Sequence, residues 1–187
     1  PYILQGYQRR FKYILVDEFQ DTNYAQFELV KLLAARHKNL AVVADDDQAV
    51  YKFRGAAISN VLGFKEVYPD AREIVLTRNY RSHQEVLDSA YRLITYNNPD
   101  RLEVRYGIVK KLEAEHGPGP APVHLHYDTL TAEADRVATL IEEKVGSKAY
   151  RYGDFAILVR ANNDADPFLR ALNLEGIPWT FSGNAGL

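Results

Sequence analysis

Two adjacent carboxylates, Asp17 and Glu18, follow the apolar run Tyr13-Ile14-Leu15-Val16 and precede the polar turn Phe19-Gln20-Asp21-Thr22-Asn23. A run this rich in β-formers predicts a buried strand that delivers the pair to its carboxyl end, the edge of a parallel α/β sheet where ligands bind. Hard cations take carboxylate oxygen, so one acid can hold Mg²⁺ while its neighbour stays free to accept a proton from water. That division of labour suits hydrolysis of a nucleoside triphosphate. Alone, the same pair is also the ordinary solvated end of a strand, so its meaning depends on what else reaches that edge.

Polar clusters end two further apolar runs. Leu40-Ala41-Val42-Val43-Ala44 leads into Asp45-Asp46-Asp47-Gln48, and Glu73-Ile74-Val75-Leu76 leads into Thr77-Arg78-Asn79-Tyr80-Arg81. The amide of Gln48 can donate to phosphate and accept from water. The guanidinium of Arg81 can stabilise charge on a transferring phosphoryl group, or simply be a solvated arginine at a helix entry. Between these clusters, Tyr51, Lys52, Phe53, Arg54 and Gly55 mix aromatic and basic character as an exposed functional loop does, although Phe53 also suits a core. Asp45, Asp46 and Asp47 mimic a metal cluster, but adjacent acids in a strand-end turn are expected to point in different directions. His124 and His126 share a strand face by their spacing without an evident third ligand, so no histidine metal site is expected.

The elements that must position these residues alternate between strand and helix. Asp21-Thr22-Asn23 supplies capping side chains for a helix that runs to about His37, and Ile58 to Val67 suggests a second helix ended by Pro69-Asp70. Ser82 and Glu85 have the spacing of a capping box ahead of a helix through Ile94, broken by Asn97-Asn98-Pro99-Asp100. A poorly patterned basic segment follows through Arg101, Arg105, Lys110 and Lys111, then the loop Gly117-Pro118-Gly119-Pro120-Ala121-Pro122. Beyond it come a strand at 123–127, a helix at 134–145, a strand at 155–160, a helix opened by Pro167 and closed by Gly176, and a strand at 177–181. Such alternation argues for a parallel α/β fold. The expected domain boundary lies at 76/77, with the loop at 117–122 as its rival.

With 187 residues, 47% hydrophobic and 26% charged, the composition is that of a globular protein. No apolar run approaches the roughly 20 residues needed to span a bilayer, no secretory pattern opens the chain, and no cysteine is present, so a cytoplasmic setting away from membranes fits. A net charge of −2 leaves any nucleic-acid binding to a local surface. The chain begins with Pro1 and contains no methionine, which suggests a piece of something longer.

In order and spacing, the three clusters resemble superfamily 1 helicases of the UvrD/Rep type. Val16 to Asn23 is similar to that family's motif II, Ala44 to Ala56 to motif III, and Leu76 to Ser82 to motif IV; Ala156 to Arg160 with Gly176 to Trp179 resembles the start of its second motor domain. The resemblance implies parts of two RecA-like parallel-sheet domains, residues 1–76 the later half of the first and 77–187 the opening half of the second. It implies ATP and Mg²⁺ as cofactors, with Asp17 linked to the metal, Glu18 the base and a possible metal neighbour through water, and Gln48 and Arg81 at the γ-phosphate. Tyr80 would pack on the adenine, while Tyr51, Phe53 and Arg54 would face single-stranded DNA. The implied activity is 3′-to-5′ translocation and unwinding at duplex junctions in repair or replication. No G-x-x-x-x-G-K-[ST] loop occurs in the sequence, so the chain by itself is expected to hydrolyse no ATP. Two alternatives remain open: the motor part of a helicase-nuclease recombination-repair subunit, and a non-catalytic DNA-binding or interaction module on a decayed motor scaffold.

Overall fold

The computed structural model describes residues 2–49 and 58–182. Contacts divide the chain into two compact units, residues 1–122 and 123–187. The division at 76/77 expected from sequence lies inside the first unit, because residues 101–110 pack back against the acids at 45–47.

In the first unit a strand-helix-strand arrangement carries the acidic pair. After α1 (Tyr2–Arg10) come β1 (Ile14–Val16), α2 (Tyr24–Ala34) and β2 (Leu40–Val42). β1 and β2 pair in parallel, with Ile14 opposite Leu40 and Val16 opposite Val42. The ladder continues past both strands: the Val43 N–H donates to the Val16 carbonyl at 2.8 Å, and the Phe19 N–H to the Val43 carbonyl at 2.9 Å. Both acidic turns therefore leave the sheet side by side. Asn23 starts α2 as expected, its side chain accepting from the Gln26 N–H while the Gln26 side chain accepts from the Asn23 N–H. Phe19, wholly buried, meets Phe27 of α2 edge-on at 5.1 Å and Phe64 at 5.6 Å.

Phe64 belongs to the helical stretch expected at 58–67, which forms two short helices, α3 (Ile58–Leu62) and α4 (Phe64–Val67). They part at Gly63, the N-cap of α4, where a residue without a side chain weakens helix continuity. Next, β3 (Arg78–Asn79) precedes α5 (Gln84–Ile94), α6 (Leu102–Tyr106) and β4 (Glu113–Ala114), and β4 returns to pair in parallel with β3. The expected capping box at Ser82 does not form. His83 is the N-cap of α5 without a side-chain bond, and Ser82 is instead held through its N–H by Asn79 Oδ1 at 2.8 Å. Glu85 is drawn away to the Gly119 N–H, and a Cβ added at Gly119 would lie 2.4 Å from the His83 ring, so glycine permits that approach.

The second unit packs α7 (Leu130–Gly146) on α8 (Asp166–Leu174). Thr129 caps α7 by accepting from the Ala132 N–H, and Ala134, Ala138 and Ile141 fall at helical spacing against Phe168, Ala171, Leu172 and Ile177. Pro167 sits in the first turn of α8, and Gly176 follows it at φ +68°.

The strands expected at 73–76, 123–127, 155–160 and 177–181 join no ladder among the described residues. In the segment 155–160 alternation persists nonetheless: Phe155, Ile157 and Val159 pack on the core while Leu158 is 93% exposed. Extension of the backbone suffices for alternation, whereas a ladder needs a second backbone about 4.8 Å away. The described architecture is therefore mixed helix and strand, with two parallel strand pairs. Phe19→Ala is expected to lower unfolding free energy by about 3–5 kcal/mol, whereas Leu15→Ser, at a position 70% exposed, should change it by less than about 0.5 kcal/mol. Denaturant titration of both variants checks this ordering.

Candidate functional site

Glu18 stands where the chain turns out of β1. Its backbone is left-handed, φ 48° and ψ 44°, a conformation rare outside glycine and concentrated at functional sites. Two contacts over-determine it: the Glu18 N–H donates to Asp17 Oδ1 at 2.9 Å, and Gln20 Nε2 donates to Glu18 Oε2 at 2.6 Å. Asp17 and Glu18 are both exposed at the strand end, while Gln20 is buried.

Gln20 links the two acidic turns. Its Oε1 accepts from the Asp45 N–H at 3.0 Å, and Asp45 Oδ2 accepts from Gln48 Nε2 at 2.8 Å. A continuous hydrogen-bonded path thus runs from Glu18 through Gln20 and Asp45 to Gln48. Through it the structure brings together Asp17, Glu18 and Gln48.

Asp45, Asp46 and Asp47 do not point apart as expected. The 3₁₀ turn Asp46–Gln48 gathers carboxylate oxygens from all three within 4.8 Å of one another. Lys110 fills the focus of that cluster, its ammonium reaching Asp45 Oδ1 at 2.9 Å, Asp47 Oδ2 at 3.0 Å and Asp46 Oδ1. Arg101, only 3% exposed, grips Asp47 with two bonds of 2.7 and 2.8 Å and also pairs with Glu103 at 2.9 Å. The Leu102 N–H donates to Asp46 Oδ2 at 2.7 Å. With an ammonium where a cation would sit, these acids do not fit a metal.

Arg81 lies on the turn between β3 and α5, exposed, with its N–H donating to Asn79 Oδ1 at 2.9 Å. Tyr80 beside it is 65% exposed, and its carbonyl lies 2.8 Å from His116 Nε2. Among the described residues no hydrogen bond or ion pair joins Tyr80 or Arg81 to Asp17, Glu18 or Gln48. Tyr51, Phe53 and Arg54 lie outside the described residues. His124 and His126 have ring centroids 6.5 Å apart on exposed residues.

Comparison with known proteins gives two domain matches that together take in nearly the whole chain: residues 1–69 match the UvrD/REP helicase N-terminal domain and residues 74–187 the UvrD-like helicase C-terminal domain. The chain belongs to the UvrD-like helicase family. It is 39% identical over 183 residues to the ATP-dependent DNA helicase PcrA of Leuconostoc citreum and 40% identical over 185 residues to that of Staphylococcus aureus. It is also 40% identical over 190 residues to the ATP-dependent DNA helicase UvrD1 of Mycobacterium bovis. Each comparison covers 98% of this UvrD-family chain and 24% of the relative, so the chain spans about a quarter of the length of the curated relatives it matches.

Gln20, Arg101 and Lys110 escaped the sequence reading of this UvrD-family chain. Gln20 lies inside the Val16–Asn23 stretch without a periodic signal of burial, whereas the cations lie 54 to 65 residues from the acids they meet. The available clue was charge complementarity, three adjacent acids in one turn and a basic segment with no helical or strand pattern to occupy it. Among the described residues no helix is long and apolar enough to cross a membrane.

Burial works to raise the Asp47 carboxyl, but hydrogen bonds from Arg101 and Lys110 outweigh it and hold the group below its ordinary value. Burial likewise works to lower Lys110, and its bonds to Asp46 and Asp45 overcome that and raise it. A depressed folded-state carboxyl stabilises above its unfolded pKa, and that stabilisation is lost as pH falls through the folded value; a raised lysine stabilises below its unfolded pKa and loses this as pH climbs through its folded value. Stability from the cluster is therefore present at neutral pH and declines in acid below the ordinary Asp pKa of about 3.9. Asp47→Asn should lower the melting temperature at pH 7 and make it fall less steeply between about pH 4 and pH 2, which melting curves across pH would measure.

Proposed function

We propose that this UvrD-family chain is the central part of an ATP-dependent DNA helicase motor, coupling ATP hydrolysis to 3′-to-5′ movement on single-stranded DNA. Residues 1–76 are taken as the later half of one RecA-like parallel-sheet domain and 77–187 as the opening half of the next, supported by family matches that lie to either side of residues 70–73. One observation carries the assignment: the path Glu18–Gln20–Asp45–Gln48 ties two acidic turns together at the carboxyl ends of paired parallel strands. The names of the relatives, ATP-dependent DNA helicases, support ATP and DNA as its ligands.

Within that site Asp17 fits a hard cation. It is exposed, and the internal bond from the Glu18 N–H takes only Oδ1. Bound Mg²⁺ would supply charge neutralisation at the phosphate oxygens. Glu18 accepts the proton of the attacking water on the carboxylate oxygen that Gln20 leaves free, and the bond from Gln20 keeps that carboxylate aimed. Gln48, whose amide rests on Asp45, turns to the γ-phosphate when nucleotide enters. Arg81 contributes positive charge to the transferring phosphoryl group, and the exposed ring of Tyr80 packs on the base. Tyr51 and Phe53 stack on single-stranded DNA while Arg54 holds its phosphates, without preference for sequence.

In the complete protein, Glu18→Gln should cut ATP turnover by roughly 10²- to 10⁴-fold and Arg81→Ala by about 10³-fold or more, each with little change in single-stranded DNA affinity. Steady-state hydrolysis and DNA-binding anisotropy test this, and equal loss of both properties in a folded Arg81→Ala protein would overturn the role of Arg81. The chain of 187 residues by itself should turn over no ATP, since its sequence holds no G-x-x-x-x-G-K-[ST] loop. Turnover by that chain, abolished by Glu18→Gln, would contradict the expectation.

A further inference from the structure

The segment from Arg101 to Glu115 touches both halves of the proposed site. At one end, Arg101 and Lys110 hold the acids Asp45, Asp46 and Asp47 that precede Gln48. At the other, β4 pairs with β3: the Glu113 N–H donates to the Thr77 carbonyl and the Glu115 N–H to the Asn79 carbonyl, both at 2.8 Å. Asn79 in turn holds the N–H groups of Arg81 and Ser82 through Oδ1. Only two residues separate Lys110 from β4.

We infer that Arg101 and Lys110 are positioning residues that set Gln48, Glu18 and Arg81 relative to one another through this segment. The inference rests on the ATP-site assignment above. Asp45 is the junction. Its Oδ1 takes the Lys110 ammonium and the Asp47 N–H, its Oδ2 takes Gln48 Nε2, and its own N–H donates to Gln20, which holds Glu18. Lys110 is therefore one residue removed from Gln48 and two from Glu18. Three carboxylates this close repel when ionised, and the three ammonium hydrogens of Lys110 match them one to one. Arg101 adds a planar, bidentate grip on Asp47, the immediate neighbour of Gln48, and its guanidinium lies 5.3 Å from the centre of the Tyr91 ring on α5. Without the two cations the turn would open, and Gln48 and Gln20 would lose the partner they share. The acids lie in the stretch matching the N-terminal helicase domain, whereas both cations lie in the stretch matching the C-terminal domain, so the cluster ties one to the other.

The test uses the complete protein and measures DNA-stimulated ATP hydrolysis, single-stranded DNA affinity and melting for Lys110→Gln, Arg101→Gln, Lys110→Arg and Glu18→Gln. Each glutamine variant should lower kcat by roughly tenfold or more per DNA-binding-competent molecule, with KM for ATP and the Kd for DNA moving less than about threefold. Lys110→Arg, which keeps the charge, should recover most of kcat. A purely structural role would reduce the competent fraction and leave kcat per competent molecule unchanged, which would overturn the inference. If either single variant fails to fold, Asp47→Asn combined with Arg101→Gln removes both partners of the pair and should still show the loss in kcat; parental kcat in that double variant would overturn it. Glu18→Gln separates the two levels. Parental turnover in Glu18→Gln would defeat the catalytic assignment itself, whereas its collapse beside parental kcat in Lys110→Gln and Arg101→Gln would defeat only the positioning role.

Discussion

Phe19 and Gln20, the two largest side chains wholly withdrawn from water among the described residues, directly follow Glu18, and their burial constrains everything around the strand ends. The Phe19 ring enters a cluster with Phe27 and Phe64, which pulls the chain inward immediately after the acids. Burying a phenylalanine contributes about 1.5–3 kcal/mol, the same order as the roughly 1–3 kcal/mol cost of a residue held in a sparsely populated backbone region. Burial alone therefore only balances the left-handed backbone of Glu18. Hydrogen bonding decides the outcome: an amide buried beside Phe19 must find partners, and Gln20 finds Glu18 on one side and the Asp45 N–H on the other. The apolar core thus sets the polar geometry of the site, and the polar bonds keep the backbone where the core needs it.

The ion-pair cluster at Asp45–Asp47 works by a different balance. Measured against apolar packing of the same volume, the ion pairs of Arg101 and Lys110 gain little, although their bonds outweigh desolvation at Asp47 and Lys110. Their effect lies in specificity. Removing either cation would strand carboxylates that are largely shielded from water, so the turn is held in an arrangement in which each of the three acids meets a cation. That arrangement also occupies the carboxylate oxygens of all three acids, whereas Asp17 is exposed and engaged only at Oδ1.

Strand formation separates local from non-local determinants. Ile14–Val16 and Leu40–Val42 form a ladder because α2 brings the second strand back beside the first. The segments at 155–160 and 177–181 have equally good patterns, and the first turns alternate residues onto the core, yet neither forms a ladder among the described residues. Ser82 and Glu85 make a similar case. Their spacing is that of a capping box, but Asn79 and Gly119 compete for the same groups and win, through partners that local spacing does not reveal.

From the sequence alone came the apolar runs that end in acids, the existence of helices α2, α5, α7 and α8 though not their exact bounds, the Asn23 and Pro167 starts, and the motif order that identifies the family, because each depends on residues within a few positions of one another. Only the tertiary structure decided that Gln20 joins the two acidic turns, that three neighbouring aspartates converge instead of diverging, and that Lys110 and Arg101 pair with them. These contacts cross 25 to 65 residues of chain. Periodicity carries no information at that range, and the partners are selected by charge, burial and the need of every withdrawn polar group to be satisfied.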